Sequence, residues 1–330
     1  MSNARKLADN LPKQGAFANR SVIMNGEFMV DQRNNGSALI PTSAYYQLTL
    51  DRWVAGVSQA SKLTYEQHGG NVTPPAGFKT YIAMTQNGST YTPTTNDTFD
   101  IAQYIVGYDT AKFDFGKSTA KNLVLSFWAR SNVTGTYGIY VTNKATNRIF
   151  VNSYTISAAN TWEYKTVSIT GDTTGTWLTA NDTGLRIGWM LSAGSGRMTA
   201  ANAWNASADY AVTGQVNLLG TSGGYFYLTG CKLEEDQATP FEHEPYKVTL
   251  DKCMRYYEKF PTTYACHYGS GHSIANLVYR VPKRTTPSMS FTSNGGGATH
   301  GTMNFLGNYI YWANTQAANS AEIVAESELS

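Results

Sequence analysis

The sequence predicts an all-β protein, in which a β-sandwich domain is followed by a smaller C-terminal β domain. Of its 330 residues, 13% are aromatic and only 15% are charged, with 22 Tyr and 30 Gly. Aromatic residues favour the pleated surface of a sheet, and Gly favours the turns between strands. Short runs that alternate apolar and polar residues also recur along the chain, separated by turn signals. The length is that of two domains.

The strongest predicted strand covers residues 123–130, where Leu123, Leu125 and Phe127 alternate with Trp128 and Arg130 on the other side. Similar runs predict strands at 135–141, 162–170, 185–191 and 225–233. Shorter runs at 21–24 and 27–30 flank an Asn-Gly turn and are also predicted as strands. Residues 194–224 lack such alternation and predict a long surface loop, a place where β proteins often bind ligands.

Three segments are expected along the chain. Residues 1–20 carry a short helical pattern at 4–11 and are expected to be an N-terminal attachment segment that docks on a neighbouring subunit. Residues 21–245 form the sandwich domain. Residues 246–330 form the small β domain, which a short helix within 248–260 introduces.

Charge and hydropathy exclude several partners. The formal net charge is +2 and no basic block is present, so nucleic acid is not an expected partner. No apolar stretch reaches the roughly 18 residues that a membrane helix needs, and membrane insertion is not expected. Cys231, Cys253 and Cys266 are an odd number, which predicts free thiols and synthesis in a reducing compartment.

The sequence contains no recognised catalytic motif, such as a nucleophile elbow, a phosphate-binding loop or a His-Glu zinc motif. The spacing of Cys266, His267 and His272 matches no common zinc framework. We therefore expect neither an enzyme nor a metal protein, and no catalytic residue. The Asp- and Asn-rich loops at 96–100, 171–172 and 181–182 have two interpretations, a calcium site or ordinary Asx turns.

Four aromatic residues in or beside predicted loops are the candidate ligand-binding residues. They are Tyr91, Tyr137, Trp177 and Trp204. Aromatic rings stack on the apolar faces of sugars, so these positions predict recognition of a neutral polar ligand such as a glycan. The alternative is that the same residues belong to the core or to a subunit interface.

Several segments, in a fixed order, resemble a family of bacteriophage tail-fibre and virion structural proteins. They are residues 24–33 (MNGEFMVDQR), 51–53 (DRW), 125–130 (LSFWAR), 228–243 (LTGCKLEEDQATPFEH), 253–258 (CMRYYE) and 281–287 (VPKRTTP). Residues 2–5 and 7–9 are similar to segments in tail-fibre-like proteins of marine phages. The resemblance spans almost the whole chain.

The resemblance implies a jelly-roll sandwich like that of carbohydrate-binding modules, followed by a small β domain and assembled as a homotrimer. It also implies a virion location after synthesis in the host cytoplasm, with other virion proteins bound through the N-terminal segment. Within the resembling motifs, Trp53, Trp128 and Phe241 are expected to pack between the sheets as fold markers. The family supplies no catalytic residues.

Three functions are compatible with this sequence. The first is a tail-fibre or receptor-binding subunit that contacts a host surface glycan. The second is a head-decorating or adaptor subunit without host contact. The third is a polysaccharide depolymerase, which would need two carboxyl groups roughly 5–10 Å apart across a sugar. The carboxylates at 234–244 crowd into one turn and indicate a solvated surface instead.

Overall fold

A computed structural model describes residues 21–42, 45–68, 72–260, 266–267, 272–276, 279–293, 304–306, 309–313 and 321–329. The predicted attachment segment, residues 1–20, lies outside these described residues. The chain divides into two compact units, Met1–Tyr246 with Leu329–Ser330, and Lys247–Glu328.

The first unit is built almost entirely from strands. They are β1 Gln47–Leu48, β2 Trp53–Val57, β3 Leu63–Gln67, β4 Ile82–Gln86, β5 Thr98–Val106, β6 Leu123–Ser131, β7 Gly135–Thr142, β8 Ile149–Ile156, β9 Glu163–Ile169, β10 Thr183–Ala193, β11 Met198–Thr199, β12 Ala203–Asn205, β13 Ala211–Val212 and β14 Tyr225–Glu235. A four-residue helix, α1 Gly107–Thr110, follows β5.

Two antiparallel sheets face each other across one core. One sheet has the strand order β1-β2-β5-β10-β7-β8-β12 and the other the order β3-β4-β14-β6-β9. The chain crosses between the sheets repeatedly, for example from β2 to β3, from β4 to β5 and from β5 to β6. This is a jelly-roll β-sandwich, and the predicted fold class is confirmed.

The core lies between the inner faces of the two sheets. On β6, Leu123, Leu125, Phe127 and Ala129 are fully buried and belong to one hydrophobic cluster, whereas Trp128 is only half-buried. This alternation is the period of two that a strand imposes on its side chains. Burying each large apolar side chain stabilises the fold by about 1.5–3 kcal/mol, so β6 alone contributes several kcal/mol.

A bulge in β14 sets which of its side chains face the core. The pairing with β6 shifts by one residue between Thr229 and Lys232. Between them, Gly230 has a φ of +64°, a conformation that costs other residues about 1–2 kcal/mol. A Cβ atom on Gly230 would also lie 2.7 Å from Cζ of Phe78. The chain therefore requires glycine here.

Of the three expected fold markers, Trp53 lies between the sheets. It is fully buried, and its ring centroid is 4.6 Å from that of Phe28. Trp128 does not lie between the sheets, because the neighbouring Phe127 takes the inward position on β6. Phe241 follows β14 and packs against Phe78, at 5.1 Å between ring centroids, outside the core.

The predicted strands at 21–24 and 27–30 are irregular backbone in the structure. Asn25 organises this stretch, since its side-chain amide donates to the carbonyl of Val30 at 2.8 Å and to that of Asp51 at 3.1 Å. The indole nitrogen of Trp53 in turn donates to the carbonyl of Asn25 at 3.1 Å. Side chains, and not a neighbouring strand, satisfy these backbone groups.

The second unit is also mostly β. After helix α2 Tyr246–Met254 come β15 Tyr257–Phe260, β16 Cys266–His267, β17 His272–Asn276, β18 Ser288–Ser293, β19 Asn304–Leu306, β20 Tyr309–Ala313 and β21 Ala321–Glu326. They form sheets of order β15-β21-β18 and β16-β17-β20-β19. The predicted helix ends earlier than expected because Tyr257–Phe260 pairs with β21. Across the described segments, no helix is long and apolar enough to cross a membrane.

Candidate functional site

The outer face of the seven-stranded sheet is covered by the chain itself. Every residue of β10 is buried, on both faces of the sheet. Residues of the segment 194–217, including β11 and β13, pack onto this outer face and form a second small apolar cluster. The predicted surface loop at 194–224 is thus largely a cover for the sheet.

An arginine lies inside this covered face. Arg186 is 4% exposed, and one terminal nitrogen donates to Asp100 at 2.8 Å. Its guanidinium lies 4.6–5.3 Å from the ring centroids of Tyr46, Tyr104 and Tyr140. The charge is compensated by Asp100 and enclosed by rings, so the cluster serves the packing of this face.

The outer face of the five-stranded sheet instead presents a group of aromatic side chains, which we call the aromatic platform. Its members are Tyr81, Trp128, Trp162, Tyr164, Tyr225 and Tyr227. Strand alternation produces it, because Phe226 and Leu228 point into the core while Tyr225 and Tyr227 point outward.

The rings of the aromatic platform lie in two neighbouring groups. In the first, Tyr225 and Tyr227 are stacked, with centroids 4.3 Å apart and planes 21° apart. Tyr81 lies 5.0 Å from Tyr227 and 5.5 Å from Trp162. In the second group, Trp128 lies 5.4 Å from Tyr164 across the β6–β9 pair. The rings of the two groups lie on, or directly before, four neighbouring strands, β4, β14, β6 and β9.

The rings of the aromatic platform differ in how far they are exposed to solvent, and this separates buried supporting rings from rings that a ligand can contact. Tyr81 is completely buried beneath its neighbours, whereas Tyr164 is 46% exposed. Trp128, Trp162 and Tyr227 are half-buried and keep part of their surface open to solvent. Half-buried rings of this kind can stack on a flat apolar surface without a costly rearrangement.

Polar groups border the first ring group. Arg130 lies opposite Tyr227 in the β6–β14 register, and its guanidinium is 6.0 Å from the centroid of Tyr225. Arg130 donates to the carbonyl of Asn160, and the hydroxyl of Tyr225 donates to the side-chain oxygen of the same residue. The backbone nitrogen of Asn160 donates to Ser131 at 2.8 Å, which anchors this corner.

Two hydroxyl groups of the aromatic platform, those of Tyr81 and Tyr227, are held more firmly in the protonated form by their surroundings. Burial raises the pKa of Tyr81 and of Tyr227 above the ordinary value. The proximity of Tyr81 and Tyr225 raises the pKa of Tyr227 further. These hydroxyls are therefore available as neutral donors and acceptors.

One end of the outer face is closed. Lys232 and Glu234, both buried, form an ion pair at 3.2 Å, and Glu234 accepts from the hydroxyl of Thr239 at 2.6 Å. Phe78 lies over the bulge at Gly230. The open part of the face is thus the part that carries the rings.

Trp177 and Trp204, two of the predicted ligand-binding residues, are brought together on a different part of the sandwich. Their ring centroids are 5.5 Å apart, and both pack against Phe115. The indole nitrogen of Trp204 donates to the carbonyl of Thr170 at 2.8 Å, and that of Trp177 donates to Asp172 at 3.2 Å. Both rings are partly buried against the core, and only a small cleft lies beside Trp177 and Phe115.

The other two predicted residues lie elsewhere. Tyr91 is half-buried, and its hydroxyl donates to Asp97 at 2.6 Å. Tyr137 is fully buried between Tyr154 and Phe226, because β7 turns this residue into the core. No face of Tyr137 is left for a ligand, which corrects the expectation that it contacts one.

The Asp-rich loops that suggested calcium use their carboxylates within the protein. Asp97 accepts from Ser58 at 2.7 Å and from the backbone of Thr94 at 2.7 Å. Asp172 accepts two bonds from Arg148, each at 2.7 Å. Within the described part of the chain, no group of three His, Cys, Asp or Glu side chains is placed to hold a metal ion.

The aromatic platform was not predicted, although the sequence holds a signal for it. In a sheet with one buried face, every second residue of a strand points to solvent and is usually polar. Aromatic residues occupy such positions here, namely Tyr225 and Tyr227 on one strand and Trp128 on another. Rings on the solvent side of an alternating strand are unusual enough to indicate binding.

No protein-family model matches this sequence, and no curated protein matches it. Among solved structures, similarity extends to the enzymatically active domain of tailspike protein 4 of bacteriophage CBA120, with 13% identity, 66% of this chain and 21% of that chain covered, and a TM-score of 0.35. The carbohydrate-binding module TmCBM61, solved with β-1,4-galactotriose, has 8% identity over 66% of this chain and 99% of its own, with a TM-score of 0.32.

A third similar structure is the family 11 carbohydrate-binding module of a cellulosomal cellulase of Clostridium thermocellum, with 15% identity over 62% of this chain and 100% of its own, and a TM-score of 0.31. The chain spans about a fifth of the length of the tailspike chain that it matches. At these identities no residue role transfers to this chain, and the phage family that the sequence resembles stays a prediction.

Proposed function

We propose that this chain is a glycan-binding phage virion protein, a tail-fibre or receptor-binding subunit without catalytic activity. The aromatic platform carries the proposal. It combines half-buried rings with neutral hydroxyl groups and one arginine on the open face of a rigid sheet. Sugar rings have apolar faces and polar edges, and a surface of rings bordered by donors and acceptors complements both.

The arrangement favours binding over catalysis. Cleavage of a glycosidic bond needs two carboxyl groups that face each other across the sugar. Two described carboxylates on the strands that carry the rings are already engaged, since Glu163 on β9 pairs with Lys165 at 2.5 Å and Glu234 on β14 with Lys232 at 3.2 Å. We therefore propose that the platform holds a glycan without hydrolysing it.

The virion part of the proposal is supported by the ordered resemblance of residues 24–33, 51–53, 125–130 and 228–243 to phage tail-fibre proteins. In that setting the protein is a homotrimer that attaches to other virion proteins and presents its sandwich units to the cell surface. Three copies would raise the effective affinity of a weak sugar contact by many-fold through multivalency.

A glycan array probed with the full-length chain tests the proposal. Each aromatic contact is worth about 0.5–1.5 kcal/mol, so Tyr164→Ala and Trp128→Ala should each weaken binding about 2- to 13-fold. Tyr108→Ala is the matched control, because Tyr108 is 61% exposed but lies on α1, which packs against β5 and β10. The control should bind like the wild type.

Two further measurements separate the competing functions. Incubation of the protein with the best array ligand should release no reducing ends, whereas a depolymerase would release them steadily. Purified protein should also compete with phage adsorption to host cells. Failure to bind any glycan and to compete with adsorption would contradict the proposal and favour a decorating or adaptor subunit.

A further inference from the structure

The strand β9 carries the most open part of the aromatic platform. Among the described strands it pairs on one side only, with β6. Its exposed residues are Tyr164, Thr166 and Ser168, which alternate with partly or fully buried residues. Side chains two residues apart on a strand point to the same face, so these three form one row on the platform face of the sheet. The row is about 14 Å long, the length of about three pyranose units.

The side chains of this row are free to meet a ligand. Across the residues that the structure describes, no protein group forms a hydrogen bond with the hydroxyls of Tyr164, Thr166 or Ser168. The ring of Tyr164 is 46% exposed, and Trp128 meets it at a tilt of 54° instead of stacking on its face. One aromatic face and three hydroxyl groups, each a donor and an acceptor, are therefore open in a line.

The chain covers the platform face only as far as β6 at this level of the sheet. Ser126 on β6 lies opposite Thr166 and is 1% exposed, and Lys232 on β14, opposite Ser126, is 3% exposed. Thr166, at the outer end of the same row of strand partners, is exposed. The face thus steps from a covered part to an open border formed by β9. A ligand can lie along this border but not across it toward β14.

The backbone of β9 adds donors and acceptors at the same place. Asn152 on β8 donates to the carbonyl of Ser168 at 2.9 Å, so this carbonyl points away from β6. In an antiparallel pair, the N–H and C=O of one residue point to the same side, and that side alternates along the strand. The β6–β9 register is unbroken, and it therefore directs the N–H and C=O of Tyr164 and Thr166 to the open edge as well.

The charged side chains of β9 disfavour the addition of another strand at this edge. Glu163 and Lys165 point to the opposite face from Tyr164 and pair with each other at 2.5 Å. Inward-pointing charges on an edge strand are a common means by which proteins prevent pairing with a further strand. The edge is therefore better suited to a small polar ligand than to a peptide or a second copy of the chain.

We infer that the glycan bound by the aromatic platform is an uncharged oligosaccharide that lies lengthwise along β9. One sugar unit stacks on Tyr164, and the following units form hydrogen bonds with Thr166 and Ser168. The inference rests on the proposed function and specifies its ligand class. The row carries hydroxyl groups and no charged side chain, so an acidic sugar would lose hydration there without gaining a cation.

Isothermal titration calorimetry of the full-length chain with linear oligosaccharides of one to five units tests the inference. Series of glucose, galactose, mannose and N-acetylglucosamine are the neutral probes, and series of galacturonate and mannuronate are the acidic ones. Affinity for at least one neutral series should rise up to about three units and then level off, because the row is about 14 Å long. Raising NaCl from about 0.05 M to about 0.5 M should leave that affinity within about twofold.

Two substitutions assign the longer ligand to β9. Thr166→Val and Ser168→Ala each remove one hydroxyl, and each should weaken trisaccharide binding about 2- to 13-fold while monosaccharide binding stays unchanged. Tyr164→Ala should weaken the binding of both. Thr155→Val is the matched control, because Thr155 is an exposed threonine on β8 of the other sheet, and it should bind like the wild type. Thermal melting and light scattering of each variant monitor folding and oligomeric state.

The possible outcomes lead to different conclusions. Unchanged trisaccharide binding by Thr166→Val and Ser168→Ala, together with a loss in Tyr164→Ala, would overturn the inference and leave the proposed function standing. Tighter binding of an acidic series than of every neutral one would overturn the choice of an uncharged ligand. A change of oligomeric state in Tyr164→Ala would assign this edge to contact between subunits and also overturn the inference. Absence of binding to every sugar would overturn the proposed function itself.

Discussion

Replacement of Asp97 by Asn should make the sandwich less stable at neutral pH, and this loss should become smaller in acid. Burial alone would raise the pKa of Asp97, but hydrogen bonds from Tyr91, Ser58 and Thr94 outweigh it and lower the pKa to about 2 from its usual value of 3.8. A lowered pKa means that folding favours the ionised carboxylate.

The magnitude follows from the shift. Each pKa unit corresponds to about 1.36 kcal/mol, so the ionised Asp97 contributes about 2 kcal/mol to the free energy of unfolding. Because the folded pKa lies below the unfolded one, this contribution is complete above about pH 4 and is lost as the pH falls toward 2. The difference between wild type and Asp97→Asn should therefore shrink by about 2 kcal/mol as the pH falls from 7 to 2.

Urea unfolding followed by tryptophan fluorescence measures this difference, since six of the seven tryptophans belong to the sandwich unit. Asp182→Asn is the control. Its side chain is 53% exposed and 3.6 Å from Lys144, and an exposed pair contributes about 0–1 kcal/mol. A stability difference for Asp97→Asn that stays constant between pH 7 and pH 2 would refute the reasoning. A chelator that destabilises the wild type but not the variant would instead indicate a calcium ligand.

Three other predictions concern the fold. Gly230→Ala should lower the free energy of unfolding by more than Gly223→Ala. Both glycines have a positive φ, which costs alanine about 1–2 kcal/mol, but only a Cβ atom at position 230 would also displace Phe78. Trp189→Ala should cost about 3–5 kcal/mol in urea unfolding, because Trp189 is fully buried in the core. Burial raises the pKa of the Cys231 thiol well above its usual range, so mass spectrometry should find Cys231 unalkylated in the folded protein and alkylated after unfolding.

The sequence alone was sufficient to predict the strands that a pattern of neighbouring residues defines. The alternation at 123–130 predicted β6 and its buried face correctly, because hydrophobic period and strand geometry coincide there. It failed at 21–30, where two short apolar runs flank Asn25-Gly26 but the backbone is held by Asn25 and Trp53 instead of a strand partner. Side chains that replace the hydrogen bonds of a neighbouring strand cannot be recognised from the sequence, because it does not show which residues meet in space.

The predicted site residues failed for a related reason. Tyr137 lies near the start of the predicted strand at 135–141, beside a loop, and β7 directs this ring into the core and not toward a ligand. Trp177 and Trp204 do meet, but backbone and carboxylate acceptors already use their indole nitrogens. An aromatic residue near a loop is consistent with either burial or binding, and only the direction of its side chain separates the two.

The aromatic platform depends on a single inserted residue, and this explains both its formation and why a simple pattern search misses it. Before the bulge, the inward residues of β14 are Phe226 and Leu228; after it, they are Cys231 and Leu233. Without the bulge, strict alternation along β14 would place one of these two pairs on the solvent face. The shift at Gly230 lets both pairs face the core, so Tyr225 and Tyr227 can occupy the open face at one end of the strand. A deletion of Gly230 should therefore abolish glycan binding and destabilise the sandwich together, whereas Tyr164→Ala, at a ring that is 46% exposed, should mainly affect binding.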